Sequence, residues 1–467
     1  MSYTTAWKKI DEKRKEIFSI AETIWEHPEL GYDEVYASAV IADFLQKQGF
    51  EVERGCFGVP TALRASYGTG SPVIGYLAEY DALPGLSQKK IPEKAPVVPG
   101  GPGHGCGHAL MPSANLLAML AVKAEIEEKG LPGTVVFYGC PAEEVLTGKA
   151  LMAKNGAFRE LDIALAWHPG KYNRASYSIL TGVHGKKYHF HGTTAHAAVE
   201  PEKGRSALDA VELMNVGINY LREHMPSDVR MHYVICDGGQ APNIVPDKAS
   251  VWYFDRALHI ETMHSAEERM LNVAKGAALM TGTDFDVEDL GGCYPVLPNH
   301  RLADLIDQCM REIPQESWTS EELEYARKVN ATCQDSWKES VRNIDSLNDH
   351  MQICKGVIPI DTENDYGSSD VGDVSHLVPT TFFKTACYPI GAPGHSWQIA
   401  CALTTSIGEK GMVYAARIIT AASLKMMEEK EIWIEAKKEF ELSMKGKTYQ
   451  SMVPDTFEIP GSVNVNN

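Results

Sequence analysis

Apolar residues recur at helical spacing through the first fifty positions, and shorter apolar runs follow them. The first amphipathic helix is marked by Trp7, Ile10, Ile17 and Ile20. Further helical runs cover residues 33–48 and 116–128. Apolar strands lie between and after these runs, in SPVIGYLAEYDAL ending at Asp81, in TVVFYGCPAEE and in LDIALAWHPG. This alternation predicts an α/β fold with a mixed, mostly parallel sheet flanked by helices.

The alternation of predicted strands and helices changes near Thr181. From there the chain reads as strand, helix, strand, strand, helix and strand, which predicts a small α+β domain inserted into the main one. After Pro295 the chain is helical and charged, then returns to an apolar strand in TTFFKTA and a long helical run over 411–440. We therefore expect a main domain in two parts, residues 1–182 and 295–467, with the inserted domain at 183–294.

The composition and charge of the chain argue against several classes of protein. The chain has 467 residues and a formal net charge of -18, and no block of Lys or Arg stands out. This argues against a nucleic-acid partner or an anionic membrane surface. The N-terminus has no apolar signal core, and we expect no stretch to approach the roughly 18 apolar residues of a membrane span. The ten cysteines are scattered without a CxxC pair, as expected for reduced thiols in the cytoplasm.

Polar side chains follow the ends of the predicted strands. Asp81, Glu143, Glu144 and His168 each fall just past the end of an apolar strand. The carboxyl ends of parallel strands share one edge of a sheet, where active groups collect. Glu143 and Glu144 are able to act as a metal ligand and a general base, although acids at a helix N-terminus are the commoner explanation for such a pair.

Two glycine-rich loops carry further candidate ligands. PGGPGHGCGHAL places Cys106 and His108 one residue apart, and GAPGHSWQ holds His395. Glycines let a thiolate and an imidazole turn towards a common metal. The alternative is a buried cysteine beside a surface histidine. Taken with the groups at the strand ends, the mixture of Cys, His and Glu suits borderline divalent ions such as Zn²⁺, Mn²⁺ or Co²⁺.

These motifs, in this order, resemble those of one enzyme family. The resemblance covers almost the whole chain and rests on HPELGYDE, AEYDALPG, GHGCGHAL, PAEEVLTGK, AWHPG, TTAHAAVEPEKGRSALDAVELMNVG, APNIVPDKA, GSSDVGDVSHLVP and GAPGHSWQ. The family is that of the co-catalytic metallopeptidases and amidohydrolases, which includes carboxypeptidase G, the aminoacylases and the auxin-conjugate hydrolases. Within it, the motifs are most similar to those of enzymes that hydrolyse p-aminobenzoyl-glutamate and to cytosolic dipeptidases.

The resemblance implies a site with two divalent metal ions per subunit, manganese or zinc. The implied metal ligands are Cys106, which would bridge the ions, and His108, Glu144, His168 and His395. Glu143 would be the general base, and Asp81 would orient His108 from behind. The family often has an acidic or amide residue directly after Cys-Gly-His, where this chain has Ala109. Either Ala109 faces away from the ions, or one supporting hydrogen bond is missing.

The inserted domain would be the family's lid, which also forms the dimer interface by pairing edge to edge. The resemblance implies that His196 reaches the partner's active site and stabilises the oxyanion. It implies that Asn243 and Arg256 hold the carbonyl and the carboxylate of the substrate. An arginine that ends a strand of an acidic chain suits a carboxylate, although a surface ion pair is the ordinary alternative. A homodimer through the lid is expected, and a heteromeric partner subunit stays open.

The implied reaction is metal-dependent hydrolysis of the amide bond of an N-acyl or N-aroyl amino acid or a dipeptide, such as p-aminobenzoyl-glutamate. A dipeptidase and an auxin-conjugate type of hydrolase use the same motifs. A non-catalytic paralogue that binds an amide ligand is an alternative of another class. In a third interpretation Cys106 is a nucleophile with His108 as its base. The segment 313–360 either shapes the acyl pocket or covers the sheet.

Overall fold

The computed structural model describes residues 3–342, 344 and 350–460. Its helices are α1 (Thr4–Glu26), α2 (Val35–Lys47), α3 (Met111–Lys129), α4 (Gly148–Lys154), α5 (Ala207–Leu221), α6 (Ile260–Thr281), α7 (His300–Glu312), α8 (Ser320–Ala331), α9 (Gln334–Arg342), α10 (Val371–Ser375), α11 (Trp397–Ala402), α12 (Ser406–Glu428) and α13 (Lys430–Ser443). Its strands are β1 (Glu51–Arg54), β2 (Leu63–Thr69), β3 (Val73–Glu79), β4 (Gly133–Cys140), β5 (Ile163–Gly170), β6 (Arg174–Ala175), β7 (Gly182–His191), β8 (Arg230–Asp237), β9 (Lys248–Ala257), β10 (Asp284–Cys293) and β11 (Thr380–Ala386).

The larger sheet has seven strands in the order β1-β2-β4-β3-β5-β11-β6. The four central strands, β4, β3, β5 and β11, run parallel, and antiparallel strands flank them on both sides. The central strands are buried on both faces, which explains why their sequences read as continuous apolar runs. The expected α/β fold with a mixed sheet is confirmed, and its carboxyl edge is where the site must be sought.

Helices cover both faces of this sheet. On one face α1, α2, α3, α7 and α12 form the main hydrophobic core. On the other face α4 and α10 cover a second core. The predicted helical run over 411–440 is in fact two helices, because the chain leaves helical geometry at Glu429 between α12 and α13.

One helix corrects an expectation drawn from the sequence. Among the described residues, the helical segment His108–Lys129 is long and apolar enough to cross a membrane, although no stretch was expected to approach that composition. The most apolar part of this segment is 83% buried inside the protein, because α3 packs between α1 and α12 and against β3 and β4. A central core helix meets the same criteria of length and composition as a membrane span.

The smaller sheet is formed by the segment 182–293, in the order β10-β7-β9-β8, and is antiparallel throughout. Helices α5 and α6 pack against it and bury a separate hydrophobic cluster. Strand β8 lies at one edge, and all but its first two residues are exposed. We call this unit the lid.

Candidate metal centre

Polar groups from four segments meet at the carboxyl edge of the parallel strands. Asp81 follows β3, Glu143 and Glu144 follow β4, and His395 lies in the loop after β11. His168 lies inside β5, two residues before its end, rather than just past the strand as the sequence suggested. The strand is longer than its apolar run because β11 pairs with it as far as Gly170.

The loop that carries Cys106 and His108 fits against β5 through a glycine. Gly107 has φ +120, and a Cβ built at this position would lie 2.9 Å from the Pro169 side chain. A residue with a side chain is therefore excluded both by backbone conformation and by space. Ala109 is fully buried in the main hydrophobic core, so the residue that departs from the family pattern packs inward.

Three groups of side chains each bring one metal-binding atom per residue close together; two of them share Cys106, and the third consists of Glu79, His108 and Glu143. One ligand atom from each of Cys106, His108 and His168 lies within 4.8 Å of the others. The same holds for Cys106, Glu144 and His395. The Cys106 Sγ atom is 3.3 Å from His168 Nε2, and His395 Nε2 is 3.5 Å from Glu144 Oε2. Because Cys106 belongs to both of these groups, its thiol lies beside the candidate ligands of each.

Hydrogen bonds orient both imidazole rings. His108 Nδ1 is 2.9 Å from Asp81 Oδ1, and His168 Nδ1 is 2.7 Å from the carbonyl oxygen of Pro169. Burial opposes ionisation of Asp81, but the neighbouring His108 outweighs burial and lowers the pKa of this carboxyl group. With Nδ1–H donating in each ring, Nε2 is left as the free ligand atom. Asp81 also accepts the backbone N–H of Glu144 at 2.8 Å, so one carboxylate positions two candidate ligands.

Among the described residues, two buried polar atoms at this site make no hydrogen bond, although Glu79 Oε2 lies 3.3 Å from the first of them. They are His108 Nε2 and Glu144 Oε1. Such atoms are costly unless a partner binds them. Divalent ions held by thiolate, imidazole and carboxylate would supply that partner, so the residues present fit a dinuclear metal centre.

Burial raises the pKa of both adjacent carboxyl groups, Glu143 and Glu144. Burial, reinforced by repulsion from Glu79 and Asp370, raises the pKa of Glu143 well above its ordinary value. Burial also raises the pKa of Glu144, to about 7. The short turn that carries the pair is bracketed by left-handed backbone at Ala142 and Leu146. Strained backbone of this kind is common where a turn must aim side chains into a site.

A buried ion triad behind the centre was not predicted. The Lys149 Nζ atom is 2.5 Å from Glu79 Oε1 and 2.6 Å from Asp370 Oδ1, and all three side chains are buried. The second oxygen of Glu79 lies 3.3 Å from His108 Nε2. The available signals were a glutamate within the apolar run that ends at Asp81 and a lysine at the end of the motif PAEEVLTGK. Neither indicates that the two residues meet.

The environment of Cys106 bears on its interpretation as a nucleophile. Burial raises the pKa of the Cys106 thiol to about 12, although His108 partly opposes the shift. A nucleophilic cysteine needs the opposite change, a lowered pKa in an electropositive and accessible setting. A metal ligand is also a thiolate, so what favours the ligand role is the position of Cys106 in two groups of candidate donor atoms.

The candidate residues of the lid belong to β9 and to loops between lid elements, and none of them is in the groups of donor atoms. His196 is exposed, and the N–H of Ala197 beside it donates to the carbonyl oxygen of Asn243 at 3.0 Å, so His196 and Asn243 occupy neighbouring loops. Arg256 Nη1 donates to Ser368 Oγ at 2.6 Å, joining the lid to the segment that leads into Asp370 and α10. Arg256 has no carboxylate within 4 Å among the described residues, which leaves its guanidinium without a counter-ion.

Comparisons of sequence and of fold find known proteins that are similar to this chain. Residues 75–332 match the peptidase family M20/M25/M40. A p-aminobenzoyl-glutamate hydrolase subunit of Escherichia coli (strain K12) is 36% identical over 465 residues, 95% of this chain and 96% of that protein. The Xaa-Arg dipeptidase of Mus musculus is 32% identical over 311 residues, 64% of this chain and 68% of that protein. A crystal structure of a dinuclear metal-binding M20 peptidase from Bacillus subtilis has 17% identity and a TM-score of 0.60, covering 90% of this chain and 99% of that one.

Proposed function

We propose a substrate class for this chain, which belongs to the peptidase family M20/M25/M40. As a member, it is a dinuclear metal-dependent peptidase or amidohydrolase. Its proposed reaction is hydrolysis of the amide bond of an N-aroyl or N-acyl amino acid, with p-aminobenzoyl-glutamate as the leading candidate. The observation that carries the proposal is the convergence of Cys106, His108, Glu144, His168 and His395 in two groups of donor atoms that share Cys106. Similarity to a p-aminobenzoyl-glutamate hydrolase subunit over 95% of the chain supports the choice of substrate.

The proposed metal ligands follow the two groups of donor atoms. Cys106 would be shared between two ions, and His108, Glu144, His168 and His395 would complete the set. A thiolate with imidazoles favours zinc, and carboxylates make manganese acceptable. When bound, the ions polarise the amide carbonyl and lower the pKa of water.

The chain's own residues would move the proton. Glu143 takes a proton from the attacking water, and a bond forms between the water oxygen and the carbonyl carbon. Glu143 then returns the proton to the amide nitrogen as the C–N bond breaks, which yields a carboxylate and a free amine. A pKa raised by burial suits Glu143 to accept and later release a proton. Its neighbour Glu144 faces His395 and is the ligand of the pair.

The lid would complete the site. Arg256 binds the carboxylate of the amino acid, Asn243 holds the carbonyl, and His196 of the partner subunit stabilises the oxyanion. The exposed edge strand β8, where Tyr233 is 41% and Val234 54% exposed, supports dimerisation by pairing of two lids. The Escherichia coli relative is one subunit of its hydrolase, which keeps a heteromeric partner as the alternative.

A dipeptidase is the second candidate function. It is favoured by similarity to an Xaa-Arg dipeptidase that covers 68% of that protein. The two candidates differ in the amine half of the substrate, since one releases an acidic amino acid and the other a basic one.

A panel of amides tests the proposal. Metal-stripped protein is supplied with Mn²⁺ or Zn²⁺ and given p-aminobenzoyl-glutamate, an N-acetyl amino acid, an indole-acetyl amino acid and a dipeptide ending in arginine. We expect the most efficient metal-restored release of amine from p-aminobenzoyl-glutamate. Preferential cleavage of the arginine dipeptide would replace the proposal with the dipeptidase.

A further inference from the structure

Two lysines beside the metal centre form no close ion pair within the part of the chain that the structure describes. Lys384 lies on β11 directly opposite His168 of β5, and Lys171 follows the end of β5. Neither has a carboxylate oxygen within 4 Å among the described residues, whereas Lys149, on the other side of the centre, has two. Acids outnumber bases in this chain by 62 to 44, so lysines without a carboxylate partner beside the site require an explanation.

The Lys384 side chain lies on the same face of the sheet as His168, its neighbour in the register. Its stem lies over Gly170, where an added Cβ would come within 2.7 Å of Lys384 Cβ. Its Nζ atom lies 5.6 Å from the centre of the Phe382 ring, and that ring lies 6.2 Å from the His168 ring. Lys384 is therefore half-buried on the same side of the sheet as a candidate metal ligand.

Lys171 brings a second ammonium to the same region. Its Nζ donates to Ser340 Oγ at 2.9 Å, which is a neutral partner. Burial lowers the pKa of Lys171 and the charge of Lys384 lowers it further, and together they outweigh the opposing attraction of the Glu339 carboxylate. Two partly desolvated cations that repel each other are stabilised when an anion binds near both.

We infer that Lys384 and Lys171 form an anion subsite that binds a second carboxylate of the substrate, in addition to the one assigned to Arg256. The ligand class is an N-acyl amino acid with an acidic side chain, such as glutamate. This inference rests on the proposed function. It also separates the two candidate reactions, because a site with Arg256, Lys171 and Lys384 would repel the side chain of an arginine dipeptide.

A pair of isosteric substrates tests the subsite. We would measure kcat/KM for p-aminobenzoyl-glutamate and p-aminobenzoyl-glutamine in the wild type and in Lys384→Met, Lys171→Met and Lys384→Arg. A charge-assisted bond predicts that the wild type prefers glutamate and that Lys384→Met lowers this preference by about tenfold to a hundredfold. The rate with glutamine stays unchanged, and Lys384→Arg retains most of the preference. Lys47→Met is the control, since Lys47 is exposed at the end of α2, which packs on the opposite edge strand β1.

Two results would overturn the inference. One is equal use of the glutamate and glutamine amides by the wild type. The other is an equal loss with both substrates in Lys384→Met, which would make the lysine a structural residue. Equilibrium binding of both amides to the metal-loaded protein separates this question from the proposed reaction. If the protein binds the glutamate amide preferentially through the lysines but does not cleave it, the proposed reaction is refuted and the subsite is supported. If the protein shows neither the binding preference nor cleavage, the reaction and the subsite are both refuted.

Discussion

At the scale of single residues, Glu143 is the side chain on which the proposed reaction depends most. Removing a general base typically lowers a rate by about 10²–10⁴. We expect Glu143→Gln to lose at least about 10²-fold in kcat while the protein keeps its metal ions, because Glu143 is not among the proposed ligands. The measurements are amide hydrolysis under saturating substrate and metal content by elemental analysis.

The neighbouring Glu144 is the matched control for this prediction. Glu144→Gln should lose bound metal as well as activity, since Glu144 pairs with His395 in one of the two groups of donor atoms. Full activity in Glu143→Gln, or loss of metal in that variant with retention in Glu144→Gln, would reverse the roles assigned to the two carboxylates.

Lys149 should matter for stability. Its ammonium is fully buried between Glu79 and Asp370, and removing one member of such a buried ion cluster typically costs about 3–5 kcal/mol. We expect Lys149→Met to lower the free energy of unfolding in urea by this amount. Lys154→Met, on the same helix, removes an ion pair to Asp455, which is 98% exposed, and should cost less than about 1 kcal/mol. Equal effects in the two variants would contradict the account of the triad.

At the scale of elements, one histidine ties together three parts of the lid. His184 on β7 lies 2.6 Å from Glu267 on α6 and 2.8 Å from Asp289 on β10. Burial alone would lower the pKa of His184, but its hydrogen bonds to Asp289 and Glu267 outweigh burial and raise the pKa to about 9. A raised folded-state pKa gives stability that is complete below about pH 6.5 and is lost as the pH rises through about 9.

We therefore expect the free energy of unfolding to fall by about 2–3 kcal/mol between pH 6.5 and 9 from this group alone. His184→Gln should be less stable at pH 6 and should lack this fall. Urea unfolding at several pH values checks the difference between the two proteins. A parallel pH dependence in wild type and variant would show that His184 is not charged in the folded lid.

The strand ends show how far the sequence predicts the site. Asp81 and Glu143 follow the ends of β3 and β4, His168 lies two residues before the end of β5, and parallel topology brings these residues to one edge. Hydrophobic periodicity is a local property and strand order is a topological one, so both can be inferred from a single sequence. The family resemblance supplied the list of expected ligands, and two of the donor groups in the structure contain only residues on that list.

The remaining features depend on contacts between distant segments. Lys149 meets Asp370, which lies 221 residues away, and no local pattern relates the two. The proximity of Lys384 to the site was not predicted for the same reason, because its position depends on the register of β11 against β5. The sequence shows which strands exist, whereas register and side-chain direction decide which charges meet.

At the scale of the whole molecule, the proposed dimer has a direct consequence. If His196 acts in the partner's site, a mixture of inactive Glu143→Ala and inactive His196→Ala proteins contains heterodimers with one intact site. Random subunit exchange should restore about a quarter of the wild-type activity, because half the dimers are mixed and half of their sites are intact.

The control mixes Glu143→Ala with Glu144→Ala. Both changes lie in the same site of one chain, so every site in the mixed dimer is damaged and no activity should return. Failure of the first mixture, with exchange verified by native mass spectrometry, would place His196 outside the reaction or within its own protomer's site.

The central claim is that this chain hydrolyses an amide with two metal ions held by its own side chains. The most direct measurement titrates Mn²⁺ or Zn²⁺ into metal-stripped protein while following bound metal and amine release from p-aminobenzoyl-glutamate. We predict that activity appears as binding approaches two ions per chain, and that Cys106→Ala binds fewer ions and stays inactive. Hydrolysis that persists in the stripped protein, or full activity in Cys106→Ala, would contradict the account.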